Sequence, residues 1–167
     1  VGSEMCIRDR TTGLNSEVVK DRVRQAFAAE GVDAERVVMK TAVPFYEYLK
    51  LLEQSDIMLD PFPFNGGTTT CHGLWMGTPI VTLEGKMHAG RMGLSMLHAI
   101  GLPELVARDE DDYVRVARDL ALDLPRLRDI RVGMRDRLQA SPLLDAPRYV
   151  RNLEAAYRSI WREWCAR

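Results

Sequence analysis

Seven consecutive residues, Pro61-Phe62-Pro63-Phe64-Asn65-Gly66-Gly67, constrain this chain more than any other stretch. Two prolines remove backbone donors and two glycines favour neither helix nor strand, so the segment can only be a loop. Its flanks say what it joins. Upstream, Ile57-Met58-Leu59 between Asp56 and Asp60 is a short apolar run of buried-strand type. Downstream, Thr68-Thr69-Thr70 offers an N-cap for a short helix through Leu74 and Trp75, closed by Gly77. Thr78-Pro79 then introduces a second strand, Ile80-Val81-Thr82-Leu83. The unit reads strand, loop, helix, strand.

The same alternation extends in both directions. Val19, Val23, Ala26 and Phe27 recur at helical spacing behind a cap at Asn15 or Ser16, and Gly31 ends that helix. Val37-Val38-Met39 has the composition of a short strand, and Phe45, Tyr48, Leu49 and Leu52 share one helix face after it. Beyond the second strand, a loop over residues 84–90 leads to a helix carrying Met92, Met96 and Ala99 that stops at Gly101. Leu105-Val106-Ala107 is again short and apolar, and Asp109 can cap the next helix, with Tyr113, Val116, Ala117 and Leu120 inward. Pro125 opens another helix. A last one from about Pro147 lines up Tyr149, Leu153, Ala156, Tyr157, Ile160, Trp161 and Trp164 as a wide apolar stripe that must pack on something. Short strands alternating with helices predict an α/β fold with a Rossmann-like parallel sheet.

Composition narrows the function classes. With 23 Lys and Arg against 24 Asp and Glu in 167 residues, nothing global attracts a phosphate backbone or an acidic membrane, so no nucleic acid and no membrane partner is expected. No apolar run approaches the roughly 20 residues of a membrane span, and a cytoplasmic location is expected. Cys6, Cys71 and Cys165 share no metal-ligand spacing, and the three histidines, His72, His88 and His98, are too far apart for a local metal motif; no metal site is expected. Residues 1–10 (VGSEMCIRDR) lack periodicity and read as a non-native leader. In that reading Cys6 is foreign, the native chain continues upstream, and residues 11–167 form one lobe.

The loop over residues 60–70 lies where a strand hands over to a helix, the usual place for a ligand in a parallel α/β sheet. Gly66 and Gly67 would let backbone approach a phosphate, with Thr68, Thr69 and Thr70 as donors at a helix N-terminus. The same residues equally describe a turn followed by a capped helix. A nicotinamide-binding site is disfavoured, because no G-x-G-x-x-G with a following acidic residue is present. Cys71 reads as a buried small residue, the acidic run at residues 109–112 as a helix start, and Phe62 and Phe64 either wall a pocket or anchor the loop.

The longer pattern separates these readings. The run from Asp60 through Asn65-Gly66-Gly67-Thr68-Thr69-Thr70 and His72 to Gly77-Thr78-Pro79 resembles the nucleotide-sugar loop of the O-GlcNAc transferase and SPINDLY family of GT-B glycosyltransferases. The resemblance continues through Val81-Thr82-Leu83, His88-Ala89-Gly90-Arg91, Gly101-Leu102, the Tyr113 helix, Ser141-Pro142 and the tail with Tyr157 and Trp161, about residues 15–165. It implies the C-terminal lobe of such an enzyme, incomplete, with the nucleotide-sugar donor held by Phe64, Asn65, Gly66, Gly67, Thr68, Thr69, Thr70 and His72. Thr68 and Thr69 match the paired threonines on the diphosphate. Gly67 replaces a histidine of animal members, and His72 an aspartate that bonds the ribose in many members. Val43-Pro44 matches the segment that reads the base edge, and Tyr48 matches a histidine placed against the nucleotide in animal members. His88 and Arg91 are possible further pocket residues.

Mechanistically the resemblance implies inverting transfer to a protein Ser or Thr hydroxyl, with Thr68 and Thr69 stabilising the leaving diphosphate and no cofactor or metal. UDP-GlcNAc is the leading donor. GDP-fucose, which the resemblance attaches to SPINDLY members, is the alternative, and a non-catalytic interaction module that keeps the fold is another. The resemblance also implies, upstream, a lysine that matches before Thr11, an N-terminal catalytic lobe and tetratricopeptide repeats. Without them this stretch is expected to be inactive, with no catalytic residue of its own. It is also expected to be marginally stable, and the tail aromatics to pack across the two lobes of the intact enzyme.

Overall fold

The computed structural model describes residues 16–167. The expected leader at residues 1–10, Cys6 and the alternative cap Asn15 lie outside the described residues. The chain falls into two compact units, Val1–Asp56 and Ile57–Arg167.

In the first unit, α1 (Glu17–Ala29) starts at Ser16, whose side chain makes no capping bond. It ends two residues before Gly31, which takes φ +75°. A 3-10 turn, Ala34–Arg36, follows, capped by Asp33. α2 (Phe45–Glu53) starts at Pro44 and buries Tyr48 and Leu52. The strand expected at Val37-Val38-Met39 does not form. Val37 is buried, yet these residues join no ladder among the described residues, and an apolar run becomes a strand only where it finds an edge to pair with.

The second unit is a three-stranded parallel sheet in the order β1 (Met58–Leu59), β2 (Ile80–Leu83), β3 (Val106–Ala107). Met58 faces Ile80 and Leu59 faces Val81 across one ladder; Thr82 faces Val106 and Leu83 faces Ala107 across the other. β2 is central and fully buried from Ile80 to Thr82, so it shows no alternation of buried and exposed residues there. α3 (Thr68–Trp75) and α4 (Met92–Ala99) are the two crossovers, and α5 (Glu110–Leu122) and α6 (Leu124–Ala140) complete the packing. α3 lies on α6, α4 on β2, and α5 on β2 and β3. Their inward residues, Leu74, Leu97, Leu120, Ile130 and Met134 among them, form one core around Ile80 and Val81.

The helix ends follow the local chemistry. Asp109 accepts from the Asp112 N–H at the start of α5, and Asp123 from the Arg126 N–H at the start of α6. Gly77 and Gly101 leave α3 and α4 with φ +82° and +73°. α7 (Ala146–Cys165) begins at Asp145 and has no buried residue; Tyr157, Ile160, Trp161 and Trp164 are all exposed. Among the described residues, no helix is long and apolar enough to cross a membrane.

Candidate functional site

Because the strands of the second unit are parallel, the residues that follow them, Asp60, Glu84 and Arg108, all leave at one edge of the sheet. Two of the three loops there are joined: the Asn65 N–H donates to the Ala89 carbonyl at 2.9 Å. The proline and glycine run then delivers the chain to α3. Gly67, not a threonine, occupies the N-cap, and it has no side chain to cap with. The threonines therefore form the first helical turn, correcting the expectation that one of them caps it. A cap residue must stand outside the helix, and the chain is still in the loop at Gly67 (φ -108°, ψ -92°).

The three threonines divide by direction. Thr70 is buried, whereas Thr68 and Thr69 are exposed, and neither of their hydroxyls is engaged among the described residues. The first helical bond is donated by Cys71 N–H to the Gly67 carbonyl, 3.1 Å. The amides of Thr68 and Thr69 precede it, at the positive end of the helix dipole where an anion would be stabilised, and both exposed threonines stand at that same end.

Beneath them lies a buried carboxylate. Asp60 Oδ1 accepts from the Gly66 N–H at 2.8 Å, with Thr70 Oγ1 3.5 Å away, and Oδ2 accepts from the Thr82 hydroxyl at 2.8 Å. The Asp60 carbonyl accepts from the Tyr113 hydroxyl at 2.9 Å. Burial pushes the Asp60 carboxyl above its ordinary value, against the opposing pull of its bonds from Gly66, Thr82 and Thr70. Burial, then the nearby Asp60 charge, also pushes the Tyr113 phenol up. Gly66 is required by this packing: a Cβ there would stand 2.5 Å from Thr70 Oγ1 and 3.1 Å from Asp60 Oδ1. At Gly67 a Cβ would meet only the tip of Met92, at 3.3 Å, so a side chain can be admitted at that position.

The remaining candidates fall in both units. Phe64 is exposed; Phe62 packs edge-on against Tyr113 with ring centroids 5.5 Å apart, so it anchors the loop. Asn65 is fully buried, its Nδ2 donating to the Pro61 carbonyl at 3.1 Å while Oδ1 has no partner among the described residues. His72 is half-buried on α3. His88 is exposed in a 3-10 turn, His88–Gly90, and the Arg91 guanidinium is committed to Glu84 and to the Gly85 carbonyl, 3.2 Å. Val43, Pro44 and Tyr48 belong to the first unit, at the start of α2, where the Tyr48 ring lies 6.3 Å from that of Phe45. Cys71 is exposed, not buried as expected, because it sits on the outer side of α3; its Sγ contacts Met96 Sδ at 3.8 Å, and desolvation pushes the thiol up despite the helix N-terminus. The roles of Asp60 and Thr82 were not legible in the sequence, since a carboxylate six residues before a glycine carries no motif of its own.

A parallel α/β sheet with a glycine and threonine loop at its carboxyl edge defines a Rossmann-like lobe of the kind found in GT-B glycosyltransferases. The comparisons name the family. The model of glycosyl transferase family 41 matches residues 16–153, and the chain belongs to that family. It is 41% identical over 150 residues to a tomato (Solanum lycopersicum) protein named probable UDP-N-acetylglucosamine--peptide N-acetylglucosaminyltransferase SPINDLY; the match covers 87% of this chain and 16% of that protein. It is 30% identical over 145 residues to the Caenorhabditis elegans UDP-N-acetylglucosamine--peptide N-acetylglucosaminyltransferase, covering 87% of this chain and 13% of the nematode protein. Among solved structures, a mutant of the Thermobaculum terrenum O-GlcNAc transferase superposes with a TM-score of 0.87 at 37% identity, over 95% of this chain and 30% of that one. The chain thus spans about a sixth of the length of the SPINDLY proteins it matches.

Proposed function

We propose that residues 11–167 are the donor-binding lobe of a protein O-glycosyltransferase that transfers GlcNAc from UDP-GlcNAc to Ser or Thr hydroxyls with inversion. The observation that carries this reading is the exposure of Thr68 and Thr69, their hydroxyls unengaged among the described residues and their amides in the first helical turn, at the carboxyl edge of the sheet. As an acceptor hydroxyl attacks the anomeric carbon, the bond to the nucleoside diphosphate breaks and negative charge grows on the phosphate oxygens. Donors already aimed at that charge stabilise the transition state more than the ground state. The relatives named above as N-acetylglucosaminyltransferases support the choice of sugar. The higher identity to the SPINDLY protein, 41% against 30% for the nematode enzyme, favours GDP-fucose as the second reading, the donor that the resemblance attaches to SPINDLY members.

Ligand-observed saturation-transfer NMR on the chain, with UDP and GDP in separate samples, tests both readings. Transfer to UDP that disappears in a Thr68→Ala, Thr69→Ala variant is the expected result. Transfer to GDP alone selects the second reading, and transfer to neither, or transfer indifferent to the variant, refutes donor binding by this loop.

A further inference from the structure

Asp60 is a buried carboxylate, 3% exposed, and among the described residues its side chain is bonded by neutral donors from Gly66, Thr70 and Thr82. A group of that kind is costly to bury, and its placement follows from what it holds. Its donors come from three different elements: the loop through Gly66, the first turn of α3 through Thr70, and the central strand through Thr82. The bond to Gly66 closes the proline and glycine run on itself, and the contact to Thr70 fixes which way α3 faces as it starts. Successive helix residues are about 100° apart, so turning Thr70 inward, towards Asp60, leaves Thr68 and Thr69 on the open side. Thr82 ties the whole arrangement to β2, the most deeply buried element of the unit.

We propose that Asp60 is a positioning residue of the donor loop: through Gly66 and Thr70 it sets the rotational phase of α3, and thereby aims Thr68 and Thr69 at the diphosphate. The proposal rests on the donor-binding reading above, but only for what the loop binds. Asp60 need not be ionised for this role. The Gly66 N–H requires an acceptor at Oδ1, whereas the Thr82 hydroxyl can either donate to or accept from the atom at Oδ2. An amide therefore satisfies the same geometry. An alanine leaves the Gly66 donor and both hydroxyls without their acceptor.

The test compares Asp60→Ala and Asp60→Asn in the full 167-residue chain by two readouts, amide hydrogen exchange at residues 66–70 and affinity for UDP and GDP. Asp60→Ala is expected to speed exchange and to weaken nucleotide binding by about tenfold or more each, and Asp60→Asn to restore both to within about threefold. Leu120→Ala, a core truncation with no bond to Asp60 or Gly66, is expected to lower the melting temperature while the folded molecules bind unchanged. Asp60→Ala with wild-type exchange and affinity overturns the proposal, as does an Asp60→Asn variant as impaired as the alanine one. If the wild-type chain binds neither nucleotide, the donor reading has failed, and exchange at residues 66–70 alone decides whether Asp60 holds the loop. Should Asp60→Ala not fold, Thr70→Val and Thr82→Val each remove one partner, and unchanged exchange in both overturns the proposal.

Discussion

Gly93, near the start of α4, is where the packing beneath the candidate site is tightest. A Cβ built there would lie 2.3 Å from Thr82 Oγ1, 2.5 Å from Asp60 Oδ2 and 2.8 Å from Thr82 Cβ. Carbon and oxygen touch at roughly 3.3 Å, so Gly93→Ala overlaps by nearly 1 Å two buried groups that are hydrogen-bonded to each other. Thr82 is on the central strand and cannot withdraw. Either α4 lifts from the sheet or the bond to Asp60 breaks. Overpacking of this kind costs about 1–3 kcal/mol, and a buried polar group left unpaired about 1–3 kcal/mol more. The helix-propensity gain from glycine to alanine returns about 1 kcal/mol, leaving a net loss of about 1–5 kcal/mol. Gly133, in the middle of α6, is the control: its Cβ would meet only Arg137 Nε, at 3.9 Å, so Gly133→Ala is expected to stabilise by about 0.5–1 kcal/mol. Urea unfolding followed by far-ultraviolet circular dichroism, with free energies from linear extrapolation, measures both. The reasoning is refuted if the two substitutions shift stability in the same direction.

Three further outcomes follow from the same geometry. Asp60 and Asp112 have opposite pH signatures. Burial raises Asp60 above its ordinary 3.8, so its contribution to stability is full below that value and lost as pH rises through the folded-state value; Asp60→Asn should gain on the wild type in urea melts as pH rises above 3.8. Hydrogen bonds from Arg115, then Arg108, hold Asp112 down to about 2, so its contribution is full above 3.8 and lost as pH falls towards 2; Asp112→Asn should be the weaker protein at neutral pH and its equal near pH 2. Tyr113→Phe removes the donor to the Asp60 carbonyl and should cost about 0.5–1.5 kcal/mol in the same melts, and an absorbance titration should lose with it a phenol that ionises above the ordinary tyrosine range. The exposed face of α7 should bind a hydrophobic dye and drive concentration-dependent self-association in sedimentation velocity, both reduced by Trp161→Glu with Trp164→Glu; an unchanged sedimentation profile would argue against that face as the contact.

What the sequence by itself determined is local and periodic. The run over residues 61–67 could only be a loop, the apolar triplets at residues 57–59 and 105–107 and the run at 80–83 were legible as strands, and Gly31, Gly77 and Gly101 marked helix ends, because each rests on a backbone preference or a spacing that neighbours carry. The same logic misread Val37-Val38-Met39, since a strand is defined by the edge it pairs with and no spacing supplies one. The site divides in the same way. A loop with donors at a helix start could be read from Gly66, Gly67 and the threonines, but not which threonine turns inward. Tertiary structure alone decided that. Asp60, 22 residues before Thr82 and 53 before Tyr113, meets both only because parallel strands leave the sheet at one edge and α5 packs across them. Contacts between residues so far apart in the chain have no period to announce them, and they set the phase of α3 on which the exposure of Thr68 and Thr69 depends.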